Sequence, residues 1–203
     1  MADLIIVNYG MGNLGSVLNM FNKLRISAKI SSEIDVIEKA QKILLPGVGA
    51  FDNAMKRINE NGFLEVLNKK ALVDKIPILG ICLGMQLLTR GSEEGQLPGL
   101  NFIPADSVRF PDSHGLKVPH MGWNLVQPFT ESVLTRDLPV ESRFYFVHSY
   151  YVRTDDPVHS ILKADYGVRF DAAIQKDNIF GAQFHPEKSH KFGMQLFKNF
   201  ASL

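Results

Sequence analysis

The chain has one cysteine, Cys82, in the string Pro77-Ile78-Leu79-Gly80-Ile81-Cys82-Leu83-Gly84-Met85-Gln86. The apolar residues before it read as a buried strand and those after it as the start of a helix. The spacing therefore predicts Gly-x-Cys-x-Gly at a sharp strand-to-helix turn, a nucleophile elbow with a thiol in place of a hydroxyl. Such a turn needs small residues two before and two after the nucleophile, and Gly80 and Gly84 supply them. A sulfur at a helix N-terminus meets the partial positive charge of unpaired N–H groups, which favours the thiolate. The N–H of Leu83 would face the same space and donate to a developing oxyanion. A lone cysteine is more often an inert packing residue, so the chemistry requires a base.

The candidate base lies in Gln183-Phe184-His185-Pro186-Glu187-Lys188. Pro186 biases His185 towards an extended conformation, in which residues two apart share a side. His185 and Glu187 are then expected together, with the carboxylate orienting the imidazole. Thiol, imidazole and carboxylate make a nucleophile, a general acid/base and an orienting group. Taken alone, His185 would read as a surface loop residue. His148 falls within the aromatic strand-like run Phe146-Val147-His148-Ser149-Tyr150 and reads as a satisfied core histidine. His114, His120, His159 and His190 have no partner at a metal-ligand spacing, so no metal site is expected.

Two glycine-rich turns complete the set. Leu44-Leu45-Pro46-Gly47-Val48-Gly49 ends an apolar run, and the N–H groups of Val48 or Gly49 would complete an oxyanion hole. Gly10-Met11-Gly12-Asn13-Leu14-Gly15 fits Gly-x-Gly-x-x-Gly after a strand, with Glu33 further on. That context suits a dinucleotide-binding oxidoreductase. The rival reading gives Cys82, His185 and Glu187 nothing to do.

The elements that must position these groups follow from periodicity. Leu4 to Val7, Ala28 to Ile30, Ile43 to Leu45 and Ile78 to Ile81 read as strands. Helical spacing runs through Val17 to Leu24, Ala54 to Ile58, Phe63 to Val73 and Leu83 to Leu88. Such alternation predicts an α/β fold with a mostly parallel central sheet flanked by helices. The second half adds short β-like runs at Arg143 to Tyr151, Ile161 to Ala164, Ala172 to Gln175 and Ile179 to Phe184, an additional mixed or antiparallel region. Phe192, Leu196, Phe197 and Phe200 share one face of a closing helix. Across 203 residues, 22 Lys and Arg balance 21 Asp and Glu, so no basic surplus points to nucleic acid or an anionic membrane. No repeat or linker divides residues 1–203, which are expected to form one domain. The start, Met-Ala-Asp, has no basic region, and the longest apolar stretch, Ile76 to Met85, is too short to span a bilayer. The expectation is a soluble, cytoplasmic protein.

Pro46-Gly47-Val48-Gly49, Gly80-Ile81-Cys82-Leu83-Gly84-Met85-Gln86 and His185-Pro186-Glu187 together resemble the class I (triad) glutamine amidotransferases. Finer strings cover nearly the whole chain: Asn8-Tyr9-Gly10-Met11-Gly12-Asn13-Leu14, Ser92-Glu93-Glu94-Gly95, Pro119-His120-Met121-Gly122-Trp123-Asn124, Tyr145-Phe146-Val147-His148-Ser149-Tyr150 and His185-Pro186-Glu187-Lys188-Ser189. They are similar to the members that serve histidine biosynthesis. The resemblance implies a flavodoxin-like fold, a Cys82–His185–Glu187 triad acting on L-glutamine, and no cofactor. It implies oxyanion N–H groups from Val48, Gly49 and Leu83, and glutamine held by Gln86, Glu94 and Ser149. The family pattern uses the chain throughout, so acceptor chemistry is expected on a separate (β/α)8-barrel cyclase subunit. Asn13, Trp123, Tyr145 and Lys188 would face that subunit in a heterodimer. Two strings depart from the pattern: Asn8 stands where Asp is frequent, and His190-Lys191-Phe192-Gly193-Met194 is similar to paralogues of surface-polysaccharide pathways. There the same chemistry would serve a sugar amination.

Overall fold

Leu4–Val7 is apolar at every position because both faces of its strand are covered. The computed structural model describes residues 3–112 and 115–203, so His114 lies outside the described residues. In the first half β1 (Leu4–Val7), β2 (Ala28–Ser31), β3 (Lys42–Gly47) and β4 (Ile78–Cys82) alternate with α1 (Leu14–Lys23), α2 (Ile34–Glu38), α3 (Phe51–Glu60) and α4 (Phe63–Asn68). A π-helical turn, Lys69–Val73, continues α4, and α5 (Leu83–Leu87) leaves β4 directly. The second half contributes β5 (Ala105–Arg109), β6 (His120–Leu125), β7 (Gln127–Pro128), β8 (Arg143–His148), β9 (Tyr150–Thr154), β10 (Ser160–Tyr166), β11 (Val168–Lys176) and β12 (Ile179–Ala182). The chain ends in α6 (His190–Ala201).

The main sheet has ten strands, with the path β2-β1-β3-β4-β12-β11-β10-β7 and with β9 and β5 joined through β11. Pairings from β2 through β12 are parallel, and those beyond β12 are antiparallel. The β region of the second half is therefore mostly an extension of the central sheet. Among the described residues, only β6 and β8 form a separate antiparallel pair. Side chains alternate across the parallel strands. Leu4, Ile6, Leu44, Leu79 and Ile81 meet Val17 and Phe21 of α1 and Leu196, Phe197 and Phe200 of α6. Ile5, Val7, Ile43, Leu45 and Ile78 meet Ala54, Met55 and Ile58 of α3 and Val66 and Leu67 of α4.

Several boundaries differ from the sequence reading. β3 runs through Pro46 and Gly47, where a turn is expected. Tyr9 explains this: its buried hydroxyl donates to the Pro46 carbonyl at 2.7 Å and ties that end to β1. The run Arg143 to Tyr151 is broken at Ser149 into β8 and β9, which join different sheets. α2, β5 and β6 carry no strong periodic signal, and their existence follows from what they pack against. In β6, Gly122 interrupts the alternation at φ 124°.

Candidate active site

Cys82 ends β4 and precedes α5 with φ 54° and ψ −111°. A non-glycine residue there costs about 1–3 kcal/mol, which the surrounding packing must offset. The glycines of the elbow are required by contact. A Cβ on Gly84 would lie 1.8 Å from the Leu45 carbonyl oxygen, and one on Gly80 would lie 2.5 Å from that of Gly84. β3, β4 and α5 are thus pressed together backbone to backbone, and the sulfur is turned out at the sheet's C-terminal edge. There it borders a cavity of about 340 Å³ lined by Val48, Gly49, Cys82, Leu83, Gln86, Glu94, Ser149 and His185, among others. That volume suits a small metabolite; such sites span roughly 300–1,000 Å³.

β12 inserts beside β4 in parallel register, pairing Ala182 with Ile81, and this pairing carries His185 to the same edge. The His185 N–H donates to the Tyr145 carbonyl at 2.9 Å, fixing the backbone against β8. His185 Nδ1 lies 2.8 Å from Glu187 Oε1, and both side chains are only 3% exposed. The expected pairing is present, but its geometry is different. His185 is extended, whereas Pro186–Lys188 forms a 3₁₀ turn that folds the carboxylate back under the ring. Nε2 is buried without a hydrogen-bond partner among the described residues and is the ring atom left for the cavity chemistry. Burial works against a charge on His185, but Cys82 and Glu187 outweigh it and raise the pKa to about 10. The ring therefore keeps its proton at neutral pH.

The sulfur lies 3.9 Å from the Val147 carbonyl oxygen, an acceptor for its S–H. It also lies 3.8 Å from Gln183 Nε2, which donates to it. Gln86 Nε2 donates to the Tyr150 carbonyl and to Gln183 Oε1, each at 3.1 Å. Glu94 is exposed, yet it borders the cavity and its Oε2 accepts the Phe51 N–H at 3.0 Å at the start of α3. Ser149 reaches the cavity because the β8–β9 break turns the chain there. His148 is a satisfied core histidine, as expected. Its Nδ1 donates to the Tyr150 carbonyl at 2.7 Å, and His120 Nδ1 lies 3.0 Å from its Nε2. Among the described residues no cluster of His, Cys, Asp or Glu is arranged to hold a metal ion.

Three of the four residues expected at a partner surface form one cluster. Trp123 meets Tyr145 edge-on at 6.2 Å, and Lys188 Nζ stands 5.5 Å above the Tyr145 ring. Trp123 is 47% exposed and stacks at 5.5 Å on His190, which sequence reasoning left without a role. Asn13 is exposed and caps α1, accepting the Ser16 N–H at 3.4 Å. α1 packs against the Pro186–Lys188 turn. In the turn of the rival dinucleotide motif, Gly10 and Gly12 take positive φ, but the chain's own Arg57 and Pro46 stand over them. Tyr9 and Gln183 are the site residues missed in the sequence. Each lies inside a recognised string without a role of its own there, and only burial marks it.

The glutamine amidotransferase class-I family model matches residues 5–202. The imidazole glycerol phosphate synthase subunit HisH 2 of Pseudomonas aeruginosa is 50% identical over 200 residues, covering 98% of this chain and 99% of its own. The protein of the same name from Methanococcus maripaludis is 52% identical over 195 residues, 96% of each chain. A crystal structure of a glutamine amidotransferase from Thermotoga maritima superposes with a TM-score of 0.66 at 18% identity. It covers 97% of this chain and 82% of its own, and bears on the fold alone. The chain belongs to the class I glutamine amidotransferases, in the branch of the imidazole glycerol phosphate synthase HisH subunits.

Proposed function

We propose that this chain hydrolyses the side-chain amide of L-glutamine and supplies the ammonia to a cyclase subunit that makes imidazole glycerol phosphate and AICAR in histidine biosynthesis. The observation that carries the reading is the strained elbow that turns Cys82 into one cavity with His185, whose far nitrogen is held by Glu187. Cys82 Sγ attacks the amide carbon, and the oxyanion is met by N–H groups of Val48, Gly49 and Leu83. His185 gives its proton to the departing amine, then takes one from water as water attacks the thioester, releasing glutamate. Glu187 keeps the ring oriented and stabilises its charge. Gln86, Glu94 and Ser149 hold the α-amino and α-carboxylate ends of the substrate. The whole of residues 1–203 acts as one amidotransferase domain, supported by a sheet that draws strands from both halves.

The cyclase is a separate (β/α)8 barrel, met at Asn13, Trp123, Tyr145 and Lys188. The exposed Trp123–Tyr145–Lys188 cluster supports this, as does the naming of the relatives as synthase subunits. Among the described residues no helix is long and apolar enough to cross a membrane. A single free cysteine, with no disulfide framework, is the usual pattern of a reducing compartment, which supports a cytoplasmic site of action. The test is glutamate release by the purified complex. Cys82→Ala should lower it at least about 10⁴-fold, as loss of a nucleophile does elsewhere. A diazo-ketone analogue of glutamine should add its mass at Cys82. Undiminished release from the variant would overturn the assignment.

A further inference from the structure

Resting on that reading of Cys82, we infer that Gln183 is a third group acting on the sulfur, an obligatory N–H donor that holds it as the thiolate. Gln183 is fully buried two residues before His185. Its amide could in principle face the sulfur with either end, but its neighbours decide which. The Tyr150 carbonyl only accepts, so the atom of Gln86 that meets it at 3.1 Å must be the amide nitrogen. The same nitrogen lies 3.1 Å from Gln183, so the Gln183 atom facing it must be the oxygen. The remaining end of Gln183, 3.8 Å from Sγ, is therefore the NH₂. A main-chain carbonyl, relayed through two buried amides, thus fixes a donor on the nucleophile.

The opposing contact is the Val147 carbonyl, 3.9 Å from Sγ, which accepts only from the S–H form. The sulfur sits between a donor that favours the thiolate and an acceptor that favours the thiol. Gln183→Met keeps a similar volume and removes this donor, leaving the protonated His185 as the charged group that still opposes the Val147 carbonyl. Gln86 retains its bond to Tyr150, so kcat should fall more than KM rises.

Cys82 is the only cysteine of the chain, so its alkylation can be read by the mass of the intact full-length protein. The experiment follows iodoacetamide labelling of the full chain from pH 6 to 10. Gln183→Met is expected to react roughly tenfold more slowly than the parent at neutral pH, since a charge-assisted hydrogen bond is worth about a factor of ten or more. The two rates should converge at high pH, where the sulfur is ionised in both. A merely structural role would slow or speed labelling at every pH alike. Should Gln183→Met not fold, Gln183→Glu keeps an acceptor for Gln86 and turns a carboxylate oxygen to the sulfur; labelling at pH 8 should slow at least as much. A parent-like rate–pH profile in the folded variant overturns the inference while leaving the glutaminase reading intact. That reading fails separately, if Cys82→Ala still releases glutamate.

Discussion

His185 and His148 lie on the same side of the molecule, at 2% and 6% exposure, and each holds a hydrogen bond through Nδ1. Their charges are nevertheless set in opposite directions. Burial depresses both. At His185 the Cys82 sulfur and the Glu187 carboxylate reverse the effect and raise the pKa to about 10. At His148 burial prevails over the Tyr150 carbonyl, and the neighbouring His120 and His185 add to it, lowering the pKa to about 3. His120, held down by burial, falls to about 4. The difference is made by what faces the ring. The Cys82 sulfur and the Glu187 carboxylate turn one buried imidazole into a stored proton, whereas at the other burial, helped by the neighbouring imidazoles, prevails over the Tyr150 carbonyl and leaves a neutral link in the scaffold.

The largest effect expected from breaking this contrast is at Glu187. Glu187→Gln keeps the shape but removes the second, after the Cys82 sulfur, of the two groups that sustain the imidazolium. Glutamate release by the complex should fall about 10³-fold, and the His185 ring should titrate well below about 10 by NMR. The sign for stability follows. A folded pKa above the ordinary 6.5 means that the pairing contributes fully below about pH 6.5, and that the contribution is lost as pH rises through about 10. The parent's advantage over Glu187→Gln in urea should therefore shrink on going from pH 7 to pH 10. An unchanged His185 titration in the variant would show that the carboxylate is not the source of the charge.

How much of this was legible in the sequence depends on how local the cause is. The elbow was legible because its glycines stand two before and two after the cysteine, and Gly80 answers a steric demand four residues away, at Gly84; the Leu45 carbonyl that crowds Gly84 comes from β3 and is not local. The His185–Glu187 pair was legible from spacing, although the inferred extended alternation is in fact a 3₁₀ turn. The meeting of Cys82 with His185 depends on β12 pairing with β4 across about a hundred residues, and no local pattern encodes that choice. Glu94 is similar: its acidic neighbours suggest solvent, while its partner, the Phe51 N–H, is 43 positions away. Gln183 and Tyr9 sit just past the ends of β12 and β1, and only the packed structure shows what their polar ends touch. β6 escaped notice because Pro119 and Gly122 flank or interrupt its alternation.

The scaffold pair makes the opposite prediction with a smaller size. A folded pKa below the ordinary value gives stability that is present above about pH 6.5 and lost as pH falls through about 4 for His120 and about 3 for His148. His148→Gln keeps a donor for the Tyr150 carbonyl but cannot take up a proton in the unfolded chain. Urea unfolding from pH 7 to pH 4 should lose roughly 3 kcal/mol less in the variant than in the parent. Equal losses would mean that the pair is not what makes the fold acid-sensitive.

The smallest effect tests how the neutral state is specified. The Tyr150 carbonyl requires a proton on His148 Nδ1, which leaves Nε2 bare; His120 Nδ1 must then donate to it, leaving His120 Nε2 bare in turn. Asn124 closes the sequence, with Nδ2 3.3 Å from His120 Nε2 and 2.9 Å from the Asp165 carbonyl. Asn124→Ala removes that donor without touching the cavity. It should cost about 1 kcal/mol of stability at pH 7, the worth of an ordinary buried hydrogen bond, and leave kcat unchanged. It also leaves His120 Nε2 free to take a proton in the folded state, which moves its pKa from about 4 back towards the ordinary 6.5, so the variant should lose less stability than the parent between pH 6.5 and pH 4. If stability fell at pH 7 but the further loss between pH 6.5 and pH 4 matched the parent's, Asn124 would be a packing residue, and the neutral pair would be held by burial alone.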